Sequence, residues 1–126
     1  MRELKFRVWS NTFVKFLTKE EWFFDFDGDL YFWDIVENDM IRVPENEYFV
    51  QQYTGLKDKN GVEIYEGDIV KATSDQYENE NFVGKVIFDE GCFLTWVHKN
   101  DIRGIWGEDD IEVIGNIFEN SELLEK

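Results

Sequence analysis

The segment TGLKDKNGVEIYEGDIV, Thr54–Val70, carries two turn signals close together. In Asp58-Lys59-Asn60-Gly61, the Asp and Asn side chains can bond their own backbone, and the glycine can adopt a positive φ. A second turn is predicted at Glu66-Gly67-Asp68, after which the segment ends in a strand-like run. Strand-like residues also precede it, over Tyr48–Thr54. The segment therefore predicts short strands joined by tight turns, with Gly61 at a positive φ.

Outward from this segment the dominant hydrophobic period is two, which indicates strands rather than helices. Leu4, Phe6 and Val8, for example, alternate with the residues between them at the start of the chain. Further strands are predicted over Phe13–Leu17, Phe82–Phe88, Phe93–His98 and Ile111–Phe118. Short strands at this spacing predict a mostly β protein, in which residues 65–118 would suit a compact five-stranded barrel.

Two segments lack this period. The polar stretch Asn38–Asn46 contains the single proline and is interpreted as a linker or a covering loop. Near the end of the chain, Asn120 and Ser121 are predicted to cap a final helical turn over Glu122–Glu125. Neither segment changes the predicted fold class.

The segment WFFDFDGDLYFW, Trp22–Trp33, predicts an aromatic hairpin. Asp27-Gly28 at its centre is a strong signal for a two-residue turn with a positive φ. With a loop of that length, Trp22 faces Trp33 and Phe24 faces Tyr31 on one side. The other side would carry Phe23, Leu30 and Phe32.

Both faces of this hairpin are therefore aromatic, whereas an ordinary surface hairpin is apolar on one side only. One face is expected to pack on the barrel. The other is expected to meet either Met40–Phe49, folded over it, or a second chain, and both alternatives are open. The candidate interface residues are Trp22, Phe24, Tyr31 and Trp33.

Composition restricts the class of protein further. The 126 residues suffice for one domain with a real core, and the net charge of −15 disfavours direct binding to nucleic acid or to anionic membranes. A single cysteine excludes an internal disulfide and favours a reducing compartment. No apolar run is long enough to span a bilayer, and Met1–Ser10 lacks the apolar region of a signal peptide. We therefore expect a cytoplasmic protein.

We predict no catalytic residues, no metal site and no cofactor. Cys92 and His98 lie six residues apart in one predicted strand, which is roughly 20 Å at about 3.3 Å per residue. One Cys and one His also cannot supply the usual ligands of zinc. Asp25–Asp29 has some of the acids of an EF-hand calcium loop, but neither possible register is complete. A hairpin turn with solvated carboxylates is the favoured interpretation, and cation binding there is left open.

The central segment also resembles a known protein family. QYTGLKDKNG, Gln52–Gly61, followed by IYEGDIV, Ile64–Val70, is similar to the central signature of the YopX family. The opening KFRVW, Lys5–Trp9, and the closing VIGNIFEN, Val113–Asn120, are similar to its two ends. The resemblance implies a small, mostly β protein of bacterial phages and prophages, with an SH3-like barrel in its later part. It implies no activity and no site residues, because the function of the family is unknown.

Together these observations predict an N-terminal β-hairpin subdomain over residues 1–50 and an SH3-like barrel with a closing strand over residues 51–126, in one cooperative unit. The predicted function is non-enzymatic. We expect a phage or prophage accessory protein that works through contacts with an unknown protein partner. We also expect it to self-associate into a homo-oligomer in the cytoplasm of its bacterial host.

Three alternatives remain open. An acidic mimic of nucleic acid would occupy a DNA-binding protein, and the net charge favours it. A small-barrel module that binds nucleic acid would need its cations on one face, namely Lys5, Arg7, Lys15 and Lys19. An enzyme with a carboxylate-bound metal would need acids converging from several strands.

Overall fold

The computed structural model describes residues 3–18, 22–73, 81–104 and 111–124. These residues form twelve β-strands and two 3₁₀ turns, which confirms the mostly β class. The chain divides into two compact units. We call Phe6–Gln51 the N-terminal unit, and Met1–Lys5 with Gln52–Lys126 the C-terminal unit.

The N-terminal unit contains two small groups of strands. Its elements are β1 (Phe6–Ser10), β2 (Lys15–Phe16), β3 (Phe23–Phe24), β4 (Leu30–Asp34), β5 (Asp39–Arg42), a 3₁₀ turn at Glu45–Glu47 and the first part of β6 (Tyr48–Lys57). Strand β1 lies between β2 and β6, while β3, β4 and β5 form a separate antiparallel sheet in that order. The strand predicted over Phe13–Leu17 is reduced to β2, because the chain turns at Val14, which has a φ of 54°.

The aromatic hairpin is present, but its predicted register is wrong by one residue. Phe23 pairs with Tyr31, and Phe24 pairs with Leu30. The loop is longer than two residues because the backbone N–H of Asp25 donates to the carbonyl oxygen of Asp29 at 3.1 Å. Gly28 does hold the positive φ predicted for it, at 85°. Side chains alternate between the two faces along a strand. The one-residue shift between β3 and β4 therefore places each β4 side chain on the face opposite to the one predicted.

The covering segment Asn38–Asn46 contains a strand that the sequence did not predict. Within it, β5 pairs with β4, so that Ile41 faces Phe32 and Met40 faces Trp33. The strand has no hydrophobic alternation because it is an exposed edge strand, which buries neither face.

The C-terminal unit is built around one antiparallel sheet. After the rest of β6, its elements are β7 (Glu63–Tyr65), β8 (Asp68–Ala72), β9 (Phe82–Asp89), β10 (Cys92–His98), β11 (Asp101–Gly104), β12 (Ile111–Asn116) and a 3₁₀ turn at Ser121–Leu124. Strands β8 to β11 follow one another across the sheet, and β12 returns beside β8. The sheet curls as a half-barrel; its closure into an SH3-like barrel stays a prediction.

The short helical turn predicted near the end of the chain is present in a tighter form. The turn is a 3₁₀ turn at Ser121–Leu124, and Glu125 lies outside the described residues. The side chain of Asn120 does not cap it, because its Oδ1 accepts from the backbone N–H of Asn116 at 3.2 Å.

The hydrophobic core that the structure describes lies in the C-terminal unit. Its buried cluster consists of Ile64, Val70, Ala72, Phe82, Val86 and Ile111. The turn that leads into this core has the predicted geometry, with Gly61 at a φ of 80°.

Thr95 in β10 is fully buried, and its Oγ1 has no hydrogen-bond partner among the described residues. An unsatisfied buried hydroxyl opposes folding, because it gives up its bonds to water without replacement. We therefore expect Thr95→Val, which has nearly the same shape, to raise the free energy of unfolding by about 1 kcal/mol. Urea unfolding would measure the change. A loss of stability would show that the hydroxyl has an acceptor in the folded protein.

Candidate protein-contact site

Apolar side chains are unusually exposed in the N-terminal unit. Among its described residues the buried hydrophobic side chains are Val8, Trp9 and Leu30. In contrast, Phe13 is 68% exposed, Ile35 is 84% exposed and Phe26 is fully exposed. A contiguous apolar surface marks places where soluble proteins make contacts, whereas apolar side chains exposed singly are common.

The four predicted interface residues do not share one face of the hairpin. Trp22 and Phe24 contact each other edge to face, with ring centroids 5.0 Å apart. Tyr31 lies on the opposite face, because it pairs with Phe23 rather than with Phe24. Trp33, near the end of β4, is 46% exposed. Trp22 and Trp33 nevertheless both line one cavity of the N-terminal unit, and the role of the four residues in an interface stays a prediction.

A cavity of about 550 Å³ lies within the N-terminal unit. Its lining includes the fully buried side chain of Leu30, together with Phe32 and Trp33 of β4 and Val43 beyond β5. The backbone N–H of Val43 donates to the carbonyl oxygen of Leu30 at 2.8 Å, which holds the covering segment against the sheet. This hydrogen bond continues the β4–β5 ladder, so β5 extends the sheet at its edge, while Val43, Glu47 and Tyr48 are among the residues that line the cavity.

The cavity has few polar groups. Ser10 lies in its lining, and its hydroxyl accepts from the backbone N–H of Phe13 at 3.0 Å. Trp22 also lines the cavity, and its indole Nε1 is buried with no acceptor among the described residues. Glu47 is also one of the lining residues. A largely apolar cavity of this size with a few polar groups is typical of a binding pocket.

The acidic loop Asp25–Asp29 uses its carboxylates within the hairpin. Oδ1 of Asp25 accepts from the backbone N–H groups of Asp27 and Asp29, at 3.0 and 2.9 Å. Its Oδ2 accepts from the hydroxyl of Tyr31 at 3.2 Å, and Asp29 pairs with Arg42 at 3.0 Å. Partial burial, followed by the charge of Asp25, raises the pKa of the Tyr31 hydroxyl. In the part of the chain that the structure describes, no group of three His, Cys, Asp or Glu side chains could hold a metal ion.

Cys92 and His98 both lie on β10, and each has a local partner. The thiol of Cys92 donates to the carbonyl oxygen of Asp89 at 3.5 Å, and Nδ1 of His98 accepts from the backbone N–H of Asn100 at 3.2 Å. Asp101 pairs with Arg103 at 2.8 Å, which lowers the pKa of that carboxyl group. Each of these contacts joins residues two or three positions apart, as is usual at strand ends and turns.

Two of the cations that a nucleic-acid site would need, Lys5 and Arg7, contact other side chains of the protein. Lys5 pairs with Glu63 at 2.6 Å, and the hydrogen bond to that carboxylate raises the pKa of Lys5. The guanidinium of Arg7 donates to the side chain of Gln51 at 2.8 Å and lies over the ring of Phe16. Lys19 lies outside the described residues.

Comparison with known proteins decides the family. The family model described as YopX protein matches residues 5–125. The chain belongs to the YopX family. A SPbeta prophage-derived uncharacterized protein YopX of Bacillus subtilis is 43% identical to it over 68 residues, which cover 49% of this chain and 50% of that relative. The chain thus spans about half the length of the curated relative it matches.

Two solved structures resemble this YopX-family chain over nearly its whole length. The crystal structure of protein EF1440 from Enterococcus faecalis has a TM-score of 0.64, and that of protein yopX from Bacillus subtilis has a TM-score of 0.66. In both comparisons the identity is 28%, with 99% of this chain and 100% of the other covered. The resemblance inferred from the motifs is therefore confirmed, and the curated relative is itself described as uncharacterized.

The helical segments among the described residues are short 3₁₀ turns. No helix in this part of the chain has the length and hydropathy that crossing a bilayer requires.

Proposed function

We propose that this YopX-family protein is a non-enzymatic prophage accessory protein of the bacterial cytoplasm that works through protein–protein contacts made by its N-terminal unit. The observation that carries the proposal is the exposure of this unit's large hydrophobic side chains, such as Phe26, Ile35 and Val36. Their exposure opposes solubility unless a second protein covers them.

Charge defines the kind of surface that would cover these residues. Between Phe6 and Gln51 the sequence has ten acidic and four basic residues. Acidic residues around an apolar patch favour association with a basic surface and slow association with an acidic one. The net charge of −15 also supports a second candidate, an acidic mimic that occupies a DNA-binding protein.

The proposal is tested by site-specific photo-crosslinking in lysogenic cells. A benzophenone amino acid replaces Phe26 at the tip of the hairpin, and in a matched control it replaces Phe88, which is 52% exposed in the C-terminal unit. We expect protein crosslinks from position 26 and few from position 88. Crosslinks confined to position 88 would contradict the proposal. Crosslinks from both positions to a single DNA-binding protein would favour the mimic.

We further propose that exposed aromatic residues of the hairpin support self-association. Phe23 is 45% exposed, and it lies on the face opposite to Phe24 and Leu30. Burial of about 400 Å² of such surface contributes about 10 kcal/mol before the entropy of association is subtracted. We expect sedimentation to show a small oligomer at tens of micromolar and a monomer for Phe23→Ser with Phe26→Ser.

Phe88→Ser is the control for this prediction, since it removes an exposed ring of the C-terminal unit. It should sediment as the wild type does. Added salt should strengthen the association, because it screens the repulsion between acidic chains. A wild type that is monomeric at these concentrations would contradict self-association and leave the heterologous contact as the proposal.

A further inference from the structure

The cavity of the N-terminal unit has walls that are largely aromatic. Ring side chains line it at five positions, namely Phe13, Trp22, Phe32, Trp33 and Tyr48. Aromatic rings attract the rings of a ligand in addition to the gain from burying apolar surface. Nε1 of Trp22 takes no part in such contacts, because it is buried beyond the reach of solvent. The walls therefore favour a ligand that has aromatic rings and is recognised by its apolar surface.

The volume of the cavity sets the size of this ligand. An apolar cavity of about 150 Å³ is sufficient for one benzene molecule, whereas the cavity here measures about 550 Å³. Its lining residues include Ile35, which is mostly exposed, and Leu30, which is fully buried, so it leads from the surface into the unit. A molecule of two or three aromatic rings would enter at the exposed end and fill much of this space.

The exposed apolar surface at the cavity opening is small compared with a protein interface. Phe13, Trp33 and Ile35 line the cavity, and each is about half exposed or more. Together they present roughly 400 Å² of surface, whereas a stable interface buries about 800 Å² on each partner. A cavity, in contrast, covers a small molecule on several sides at once. The size of the opening therefore favours a small molecule over a folded protein as the occupant.

Charge restricts the ligand further. The sequence from Phe6 to Gln51 has ten acidic and four basic residues, so the unit as a whole repels anions. An ionised group of either sign also loses hydration when it enters apolar surroundings, and this loss opposes binding. The favoured ligand is therefore uncharged.

We propose that this cavity binds an uncharged small molecule of two or three aromatic rings. Affinity comes from burial of the ligand rings against the aromatic walls. The inference goes beyond the proposed protein contacts, whose crosslinking test uses Phe26, a residue outside the cavity lining. Failure of crosslinking at Phe26 would contradict the protein-contact function and would not affect the binding of a small molecule in the cavity.

The test uses two dyes that share one ring system and differ in charge. N-phenyl-1-naphthylamine is uncharged, while 8-anilinonaphthalene-1-sulfonate has the same rings and one sulfonate group. Both dyes fluoresce more strongly when apolar surroundings replace water, and the full-length protein is titrated into each dye separately. We expect saturable binding of the uncharged dye with a dissociation constant of about 200 µM or less. The sulfonated dye should bind at least about fivefold more weakly.

Matched substitutions show whether the dye occupies the cavity. Val43→Trp fills the cavity and should weaken binding of the uncharged dye at least about tenfold, with near-ultraviolet circular dichroism showing that the protein is folded. Val36→Trp makes the same change at an exposed position outside the lining, and it should change the affinity less than about twofold.

A second pair of variants places a charge at the surface, where folding is not at risk. Ile35→Glu introduces a carboxylate at an exposed lining position and should weaken binding of the uncharged dye at least about threefold. Val36→Glu is its control, because this neighbouring side chain is equally exposed and does not line the cavity. It should change the affinity less than about twofold.

The double variant Phe23→Ser with Phe26→Ser separates the cavity from self-association. Neither residue lines the cavity, so the affinity for the uncharged dye should stay within about twofold of the wild type. A larger loss would place the dye between two chains and would overturn the proposal. So would a lack of saturable binding, binding of the sulfonated dye that is equal or tighter, or unchanged affinity in folded Val43→Trp or in Ile35→Glu.

Discussion

Replacing Asp58 with Ala is expected to lower the free energy of unfolding by about 3–5 kcal/mol, one of the largest single effects in this protein. The side chain is 2% exposed. Its Oδ1 accepts from the backbone N–H groups of Asn60 and Val62 at 2.8 and 2.9 Å, and its Oδ2 accepts from that of Val113 at 2.9 Å. One carboxylate thus joins the β6–β7 turn to β12, and alanine would leave three donors without an acceptor. Urea unfolding followed by circular dichroism would measure the loss.

Asp25 is a matched control, because it has the same local geometry in an exposed setting. Its Oδ1 also accepts from the N–H groups two and four residues ahead, and a glycine at positive φ follows three residues on. Its Oδ2, however, bonds the nearby Tyr31 hydroxyl rather than a distant strand. We expect Asp25→Ala to lower the free energy of unfolding by about 1 kcal/mol or less. Equal losses at the two positions would show that the contact with β12 contributes little.

The contribution of the Asp58 side chain to the free energy of unfolding should also depend on pH. Burial alone would raise its pKa, but the three backbone donors favour the ionised form, and the net pKa lies below the ordinary value of 3.8. A lowered pKa in the folded state stabilises the protein above the unfolded pKa, and this contribution is lost as the pH falls through the folded value. The difference in stability between wild type and Asp58→Asn should therefore be constant near neutral pH and shrink below about pH 4. A difference that grows on acidification would contradict this assignment.

The same comparison shows what the sequence could have predicted in the hairpin. Asp25-Phe26-Asp27-Gly28 and Asp58-Lys59-Asn60-Gly61 share the pattern of Asp, any residue, Asp or Asn, and Gly. Both form a three-residue loop with glycine at positive φ, at 85° and 80°. Asp-Gly alone favours a two-residue turn, but the earlier Asp side chain binds the next backbone N–H groups and selects the longer loop. Comparing the two turns would have given the correct register.

Other features depend on tertiary contacts and leave weaker sequence signals. The glycine turns and the alternating strands, such as β1, follow from local chemistry and were predicted. Strands β5 and β11 are short edge strands, and sequence patterns do not distinguish them from loops. The cavity could not be predicted, because it requires Ser10, Leu30 and Val43 to meet from segments far apart in the sequence.

Gly84 in β9 is the second position at which we expect a large effect. A Cβ atom built there would lie 2.7 Å from the carbonyl oxygen of Trp96 and 2.8 Å from Cγ2 of Thr95. Both distances are too short for non-bonded atoms, and the first involves the backbone of β10, which cannot rotate away. We therefore expect Gly84→Ala to lower the free energy of unfolding by about 2–4 kcal/mol, measured by urea unfolding.

A double-mutant cycle divides this loss between its two contacts. Thr95→Ser removes Cγ2 but leaves the carbonyl oxygen of Trp96 in place, so Gly84→Ala should cost less in that background without becoming neutral. Gly104→Ala in β11 is the control, since a Cβ there has no atom within 4 Å, and it should change stability by less than about 0.5 kcal/mol. If Thr95→Ser fully restored the stability lost in Gly84→Ala, the backbone of β10 would have to move away from the new Cβ atom at little cost in free energy. The close approach of β9 to β10 would then be a side-chain effect rather than a constraint that only glycine satisfies.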